Sequence, residues 1–173
     1  AASRLKELAD KRAYGSIYLT DVTDAFSVER LNKEFFNGYK AQYKKFVDTL
    51  SDTKQHRDYV KKLLGRLVFL QFLQRKGWMG VPVSNAKWEG GDKNYLNKLI
   101  DTNPNNNRLL SDVLEPLFFK TLNEKRNGDI ADSKLGENIK IPYLNGGLFD
   151  KDRIDELDID FPYSYFKELM DFL

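Results

Sequence analysis

The segment Leu67–Leu73, which reads LVFLQFL, constrains the fold more than any other part of the sequence. It forms the second half of a helix predicted from His56 to Lys76, and it is apolar on nearly every side of that helix. A helix that is apolar all round must be surrounded by other elements. Gly77 follows it directly, and basic residues fill the last turn, as is typical of a helix C-terminus. We therefore expect a central helix with other elements packed around it.

Hydrophobic residues at helical spacing predict further helices along the chain. A long one should run from Ser27, a good N-cap, to Leu50. Shorter helices are expected at Asn94–Asp101, at Arg108–Asn123 with a kink or restart at Pro116, and at Tyr163–Leu173. Irregular or extended chain is expected at Ser16–Thr20, Gly80–Asp92 and Ile139–Phe149. The predicted fold is mainly α: an irregular helical bundle with long loops and at most a short N-terminal strand or hairpin.

The composition excludes several classes of protein and site. The chain has 173 residues, 13% of them aromatic, which suits one folded core. It has no cysteine, so disulfides and cysteine zinc sites are excluded, and its one histidine, His56, is expected to be solvated or to cap a helix. A net charge of +2 does not by itself require nucleic acid. No apolar run approaches the roughly 18 residues of a membrane span, and we expect a cytoplasmic protein.

Sequence patterns of nuclease and methyltransferase chemistry are incomplete in this chain. Asp52–Lys54 and Asp132–Lys134 have the Asp-x-Lys spacing of some metal-dependent nucleases, but both lie in polar connecting segments. Asn103–Asn105 shares two letters with the Asn-Pro-Pro-Tyr motif of amino-methyltransferases. The glycine pairs at 90–91 and 146–147 match no phosphate-binding loop. No catalytic, cofactor-binding or metal-binding residue is therefore assigned.

Basic residues cluster along the predicted central helix. Arg57 and Lys61 are four residues apart, and Lys62 and Arg66 repeat that spacing one step round the helix. Such a stripe could follow the phosphates of DNA, and the alternative is the ordinary solvated face of an amphipathic helix. The candidate DNA-binding residues are Arg57, Lys61, Lys62, Arg66, Arg75 and Lys76.

Three segments of the chain, in order, resemble one family of proteins. The first is FSVER at 26–30 followed by KEFF at 33–36, and the second is KLLGRLVFLQFLQRKGW at 62–78. The third is LEPLFF at 114–119, followed by IPYLNGGLF at 141–149. Together they resemble the region that precedes the methyltransferase domain in fused type IIG/IIS restriction-modification enzymes and related adenine-specific DNA methylases. In that family a nuclease domain lies upstream, and an S-adenosylmethionine-dependent N6-adenine methyltransferase lies downstream.

The resemblance implies a division of the chain and a role for it. Residues 25–173 would form a helical connector domain that ends where a methyltransferase domain would begin, and residues 1–24 would be an N-terminal arm or the tail of an upstream nuclease domain. The connector would be non-catalytic and without a cofactor, whereas the parent protein would use S-adenosylmethionine and Mg²⁺. Its partners would be the nuclease and methyltransferase domains of the same chain, and double-stranded DNA through the parent, with no membrane. Such enzymes serve bacterial defence.

The segment IPYLNGGLF also has a physical interpretation. Asn145, Gly146 and Gly147 tolerate positive φ, so a tight turn is expected there. The apolar residues on either side either plug the core of this module or dock onto a neighbouring domain. We favour a mixture, with Tyr143 and Leu144 facing inward and Leu148 and Phe149 nearer the interface. Phe149→Ala should then weaken docking while barely lowering the melting temperature. The candidate interface residues are Tyr143, Leu144, Asn145, Gly146, Gly147, Leu148 and Phe149.

Two alternatives to the connector stay open. A self-standing helical DNA-binding domain would bind DNA in a salt-dependent way that is lost on changing Arg57, Lys61, Lys62 and Arg66 to alanine. A small enzyme with an unrecognised site would bind S-adenosylmethionine or cleave DNA in the presence of a metal.

Overall fold

A computed structural model describes the backbone of residues 19–144 and 146–173, and the side chains of residues 32–144 and 146–173. It divides into two compact units, one that ends at Gln42 and one that comprises Tyr43–Leu173. Helix α1 spans Leu19–Val47, so it begins before the predicted Ser27, which lies inside the helix and does not cap it. Of the possible strand at 16–20, the first three residues lie outside the described residues and the last two are helical.

Helix α2, at Lys54–Arg75, is the predicted central helix. Thr53 caps its N-terminus by accepting a hydrogen bond from the backbone N–H of His56 at 3.1 Å. Gly77 follows the C-terminus with a φ of +72°, a left-handed conformation that glycine adopts at little cost. We expected other elements to surround this half of α2, but the side chain of Phe72 is 49% exposed. The buried positions of the helix include Val60, Leu63, Leu64, Leu67, Leu70 and Leu73.

Two shorter helices lie close to their predicted positions, and one of them packs against α2. Helix α3 spans Tyr95–Asp101 and packs against both α2 and helix α4, which spans Tyr163–Phe172. Phe46, from the last part of α1, is fully buried against the rings of Phe161 and Phe166, with centroids 4.7 and 5.6 Å away. Edge-to-face and tilted contacts of this kind add to the stabilisation from burial alone.

The predicted helix at 108–123 is π-helical on both sides of Pro116. One π-helical segment spans Leu110–Leu114 and the next spans Pro116–Leu122, and Glu115 between them keeps helical φ and ψ, so the chain stays helical up to the proline where the second segment begins. The proline nitrogen carries no hydrogen and cannot continue the ladder of the first segment. Asp160, which comes from outside the segment, accepts hydrogen bonds from the N–H groups of Leu110 and Ser111 at 3.1 and 3.3 Å and satisfies the free donors at its start.

A short antiparallel sheet joins two distant loops. Strand β1, at Val81–Pro82, pairs with β2, at Ile139–Lys140. Short 3₁₀ turns lie at Asn127–Asp129, Ser133–Leu135 and Arg153–Glu156. The mainly α fold is therefore confirmed. Within the described residues, no helix has both the length and the apolar character needed to cross a membrane.

Candidate domain interface and nucleic-acid contacts

A buried ion pair joins α2 to the segment that follows the IPYLNGGLF motif. The guanidinium of Arg66, only 3% exposed, donates to both carboxylate oxygens of Asp155, at 2.6 and 3.0 Å. It also donates to the backbone carbonyls of Leu148 at 2.8 Å and Asp150 at 3.3 Å. A bidentate contact of this kind fixes the relative orientation of the two groups and also pairs their charges. The turn is thus held against α2 by one side chain.

Lys62, one helical turn earlier on α2, extends this pair into a cluster. Its ammonium lies 2.7 Å from Asp155 and 2.8 Å from Asp152. Asp152 and Asp155 form a capping box at the start of the 3₁₀ turn. Burial of Asp155 opposes ionisation, but the hydrogen bonds from Arg66 and Lys62 outweigh it and hold the pKa of this carboxyl below its usual range. We refer to Lys62, Arg66, Asp152 and Asp155 as the ion-pair cluster.

Phe149 anchors the motif in the core. It is 1% exposed, and its ring lies 6.0 Å from that of Phe69 on α2 and 5.9 Å from that of Phe118 in the second π-helical segment. The expectation that Phe149 lies toward an interface is therefore wrong. The ring of Phe149 fills the space between α2 and the second π-helical segment. The sequence gives no local signal that these two elements meet.

The tip of the motif, in contrast, faces solvent. Gly146 and Gly147 are exposed, and Leu148 is 37% exposed. The N–H of Phe149 donates to the carbonyl of Gly146 at 3.3 Å, so the chain turns here as expected. The expected positive φ is absent from both glycines. A Cβ added at Gly146 would meet nothing within 4 Å, and one at Gly147 would only touch Asp150 at 3.9 Å. Neither the backbone nor the packing of this chain requires glycine at the tip.

Tyr143 and Leu144 in the first arm of the motif, which we expected to face inward, are half-buried. The N–H of Leu144 donates to the carbonyl of Leu122 at 2.7 Å, which ties the arm to the end of the second π-helical segment. Asn145 lies outside the described residues. Of the seven candidate interface residues, Gly146, Gly147 and Leu148 are thus exposed at the tip, whereas Phe149 is buried in the core.

The candidate DNA-binding residues fall into two groups in the structure. Lys62 and Arg66 belong to the ion-pair cluster, and Arg66 is too deeply buried to reach a phosphate. Arg57 pairs with Asp52, and Lys61 lies 3.3 Å from Asp58. The first four positions of the stripe are therefore neutralised from within the molecule.

The second group comprises Arg75 and Lys76, at the exposed C-terminal end of α2. Neither has a carboxylate partner among the described residues. The ammonium of Lys76 lies 5.6 Å from the centroid of the Phe72 ring, at the distance of a cation–π contact. These two cations are available to an external anion.

The patterns considered for catalysis lie in connecting segments. Asp52 pairs with Arg57 between α1 and α2, and Asp132 caps a 3₁₀ turn by accepting from the N–H of Lys134. His56 contacts the carbonyl of Ser51 through Nδ1 at 2.8 Å, consistent with a role at the start of α2. The described residues contain no group of three or more potential metal ligands from histidine and acidic side chains.

A cleft of about 740 Å³ lies beside the π-helical region. Its charged lining is balanced, with Asp112, Glu124 and Asp132 opposite Lys120, Arg126 and Lys134. The guanidinium of Arg126 is already engaged by backbone carbonyls, among them that of Ile141 at 2.6 Å. The cleft therefore shows no preference for an anionic or a cationic ligand.

Comparison with known proteins gives one distant similarity. The chain is 27% identical, over 135 residues, to a protein of Methanocaldococcus jannaschii that carries the provisional name "type II restriction enzyme and methyltransferase". The similar region covers 75% of this chain and 10% of the length of that protein. No family model matches the sequence, and no solved structure matches it. The chain is thus distantly related to a restriction-modification protein of which it spans a small part.

Proposed function

We propose that this chain is a helical connector in a restriction-modification protein and that it couples a nuclease domain to a methyltransferase domain. The distant similarity supports the context, because the related protein combines both activities in its name and is about ten times longer than the similar region. The connector itself carries no reaction in this proposal. S-adenosylmethionine and Mg²⁺ belong to the neighbouring domains.

The exposed glycine tip is the observation that carries the docking role. The ion-pair cluster and the buried Phe149 hold the Leu148 end of the tip against α2, and the exposed Gly146 and Gly147 come directly before it. Glycine also allows another backbone to approach closely. Since the fold does not need glycine at Gly146, close approach of the methyltransferase domain is the proposed reason for it.

The proposal assigns phosphate contacts to the cations that remain available on α2. Arg75 and Lys76 lack carboxylate partners among the described residues, whereas Arg57 and Lys61 each have one. Exposed pairs of that kind are weak, so Arg57 and Lys61 can still exchange a carboxylate for a phosphate. Lys62 and Arg66 position the tip instead. Contact with DNA would then occur at the C-terminal end of α2.

The docking role is tested by enlarging Gly146 and measuring affinity for the methyltransferase domain. Gly146→Val should leave the melting temperature of the chain unchanged, because a Cβ added at this exposed position meets no atom within 4 Å. It should raise the Kd for the separately produced methyltransferase domain, measured by calorimetry, by about tenfold or more, which corresponds to about 1.4 kcal/mol. Gly65→Val on α2 is the matched control, since a Cβ there also meets nothing within 4 Å. Equal affinities of Gly146→Val and wild type would rule out docking through the tip.

A further inference from the structure

Two exposed aromatic rings stand together at the C-terminal end of α2. Phe72 is 49% exposed and Trp78 is 42% exposed. Their centroids are 6.4 Å apart, and the planes meet at 86°, so the rings form an open corner. The ring of Phe69 lies 6.3 Å behind Phe72 and supports it from the helix. Single exposed apolar side chains are common on protein surfaces. Two large rings side by side instead form a contiguous apolar patch, and such patches mark contact sites.

Basic residues outnumber acidic ones in the part of the sequence that carries this corner. Between Phe72 and Lys93 the sequence has four basic residues against two acidic ones. Both acidic residues are already paired: Glu89 lies 3.6 Å from Lys87, and Asp92 lies 2.6 Å from Lys98. Arg75, Lys76 and Lys93 are left without a carboxylate partner in the described part of the chain.

Backbone contacts bring the segment that contains Lys93 against the segment that contains Trp78, although the two are distant in sequence. The N–H of Gly91 donates to the carbonyl of Gly77, and that of Asp92 donates to the carbonyl of Met79, both at 2.9 Å. A Cβ at Gly91 would come within 2.4 Å of a backbone oxygen, so the two segments lie as close as backbones can. We refer to Phe72, Arg75, Lys76, Trp78 and Lys93 as the cation–aromatic surface.

We propose that the cation–aromatic surface binds single-stranded nucleic acid, with bases stacked on Phe72 and Trp78 and phosphates held by the cations. Aromatic rings framed by unpaired cations are the chemistry by which proteins hold single strands. In a duplex both faces of each base are covered by its neighbours, so exposed rings favour unpaired bases. The inference rests on the proposed function in one respect, contact with DNA, and adds the strand form and the residues that bind it.

The two kinds of residue give separable signals in one experiment. A fluorescein-labelled oligothymidylate is titrated with the 173-residue chain at several salt concentrations, and binding is followed by anisotropy. Three cations predict that the logarithm of the binding constant falls with the logarithm of salt with a slope of about −2. Changing Arg75 and Lys76 to alanine should reduce that slope to about −0.7. Trp78→Ala should weaken binding about 5- to 100-fold and leave the slope unchanged.

Matched controls separate this surface from general effects of charge and apolar area. Val83→Ala removes a similarly exposed apolar side chain, and Lys44→Ala removes an exposed cation of α1 that is already paired with Asp48; both should bind like wild type. Phe72→Ala gives a second test of stacking if circular dichroism shows that Trp78→Ala does not fold.

Several results would overturn the proposal. They are absence of binding at low salt, equal affinity for the duplex and the single strand, and unchanged affinity in the aromatic variants. Binding of an acidic peptide at this surface in place of the oligonucleotide would also overturn it and would indicate a protein partner. Docking to the methyltransferase domain is measured separately with Gly146→Val, so failure of the coupling role and failure of strand binding are distinguishable.

Discussion

Replacing Asp155 with alanine removes the carboxylate that faces the Arg66 guanidinium in the core. Both side chains are almost completely buried, and two hydrogen bonds of 2.6 and 3.0 Å join them. Breaking such a pair from one side costs about 3–5 kcal/mol, because the remaining charge stays buried without its counter-ion. Arg66 keeps its bonds to the carbonyls of Leu148 and Asp150, so we expect a loss near the lower limit, about 3 kcal/mol.

This loss should be visible in thermal and urea unfolding followed by tryptophan fluorescence. Both tryptophans, Trp78 and Trp88, lie in the unit that contains Asp155. For a chain of this size, about 3 kcal/mol corresponds to a fall in Tm of about 6 to 12 °C. Glu156→Ala is the matched control, since that neighbouring acid is exposed, and it should change stability by less than about 0.5 kcal/mol. A change of that small size in Asp155→Ala would refute the role given to the ion pair.

The same pair predicts how stability depends on pH. The pKa of Asp155 is lowered in the folded chain, so its ionisation stabilises the fold fully above the unfolded pKa, whose ordinary value is 3.8. That contribution is lost as pH falls through the lower, folded pKa. Wild type should therefore lose stability below about pH 4 more steeply than Asp155→Asn, which keeps the shape but not the charge. Parallel curves for the two proteins in this range would contradict the assignment.

Two further predictions concern packing. Phe149→Ala should lower the free energy of unfolding by about 3–5 kcal/mol, measured by urea denaturation, because the ring is fully buried between α2 and the π-helical region; a loss below about 1 kcal/mol would contradict that burial. Gly91→Ala should be destabilising by about 1–3 kcal/mol or more, since the new Cβ would meet the carbonyl oxygens of Met79 and Gly77 within 2.5 Å, whereas Gly146→Ala should not be. Equal melting temperatures of these two glycine variants would show that the backbone contact at Gly91 leaves room for a Cβ.

Local signals in the sequence were sufficient for most of the helices. The apolar spacing and Gly77 located the end of α2, and Pro116 marked the first residue of the second π-helical segment. They failed at the start of α1, where Ser27 has the right chemistry for a cap but lies inside a longer helix. Capping residues are also tolerated within helices, so a cap signal alone does not fix a boundary.

The candidate site was only partly predictable. An Asp at 152 with another at 155 is a capping-box pattern that the sequence offered and that could have marked the 3₁₀ turn. The pairing of Asp155 with Arg66 had no such signal, because the two residues are 89 positions apart. The exposure of Phe72 was likewise hidden inside a segment that is apolar on nearly every side of its helix.

The sequence by itself determined where helices form and end, since periodicity, glycine and proline act over a few residues. The tertiary structure decided which charges are used within the fold and which are left for a partner. Arg66 and Arg75 look alike in the sequence, yet one is buried against Asp155 and the other is exposed beside Phe72. Likewise Phe149 became a core residue and Gly146 an exposed tip. The physical reason is that burial depends on which distant surfaces meet, and that is a property of the assembled chain.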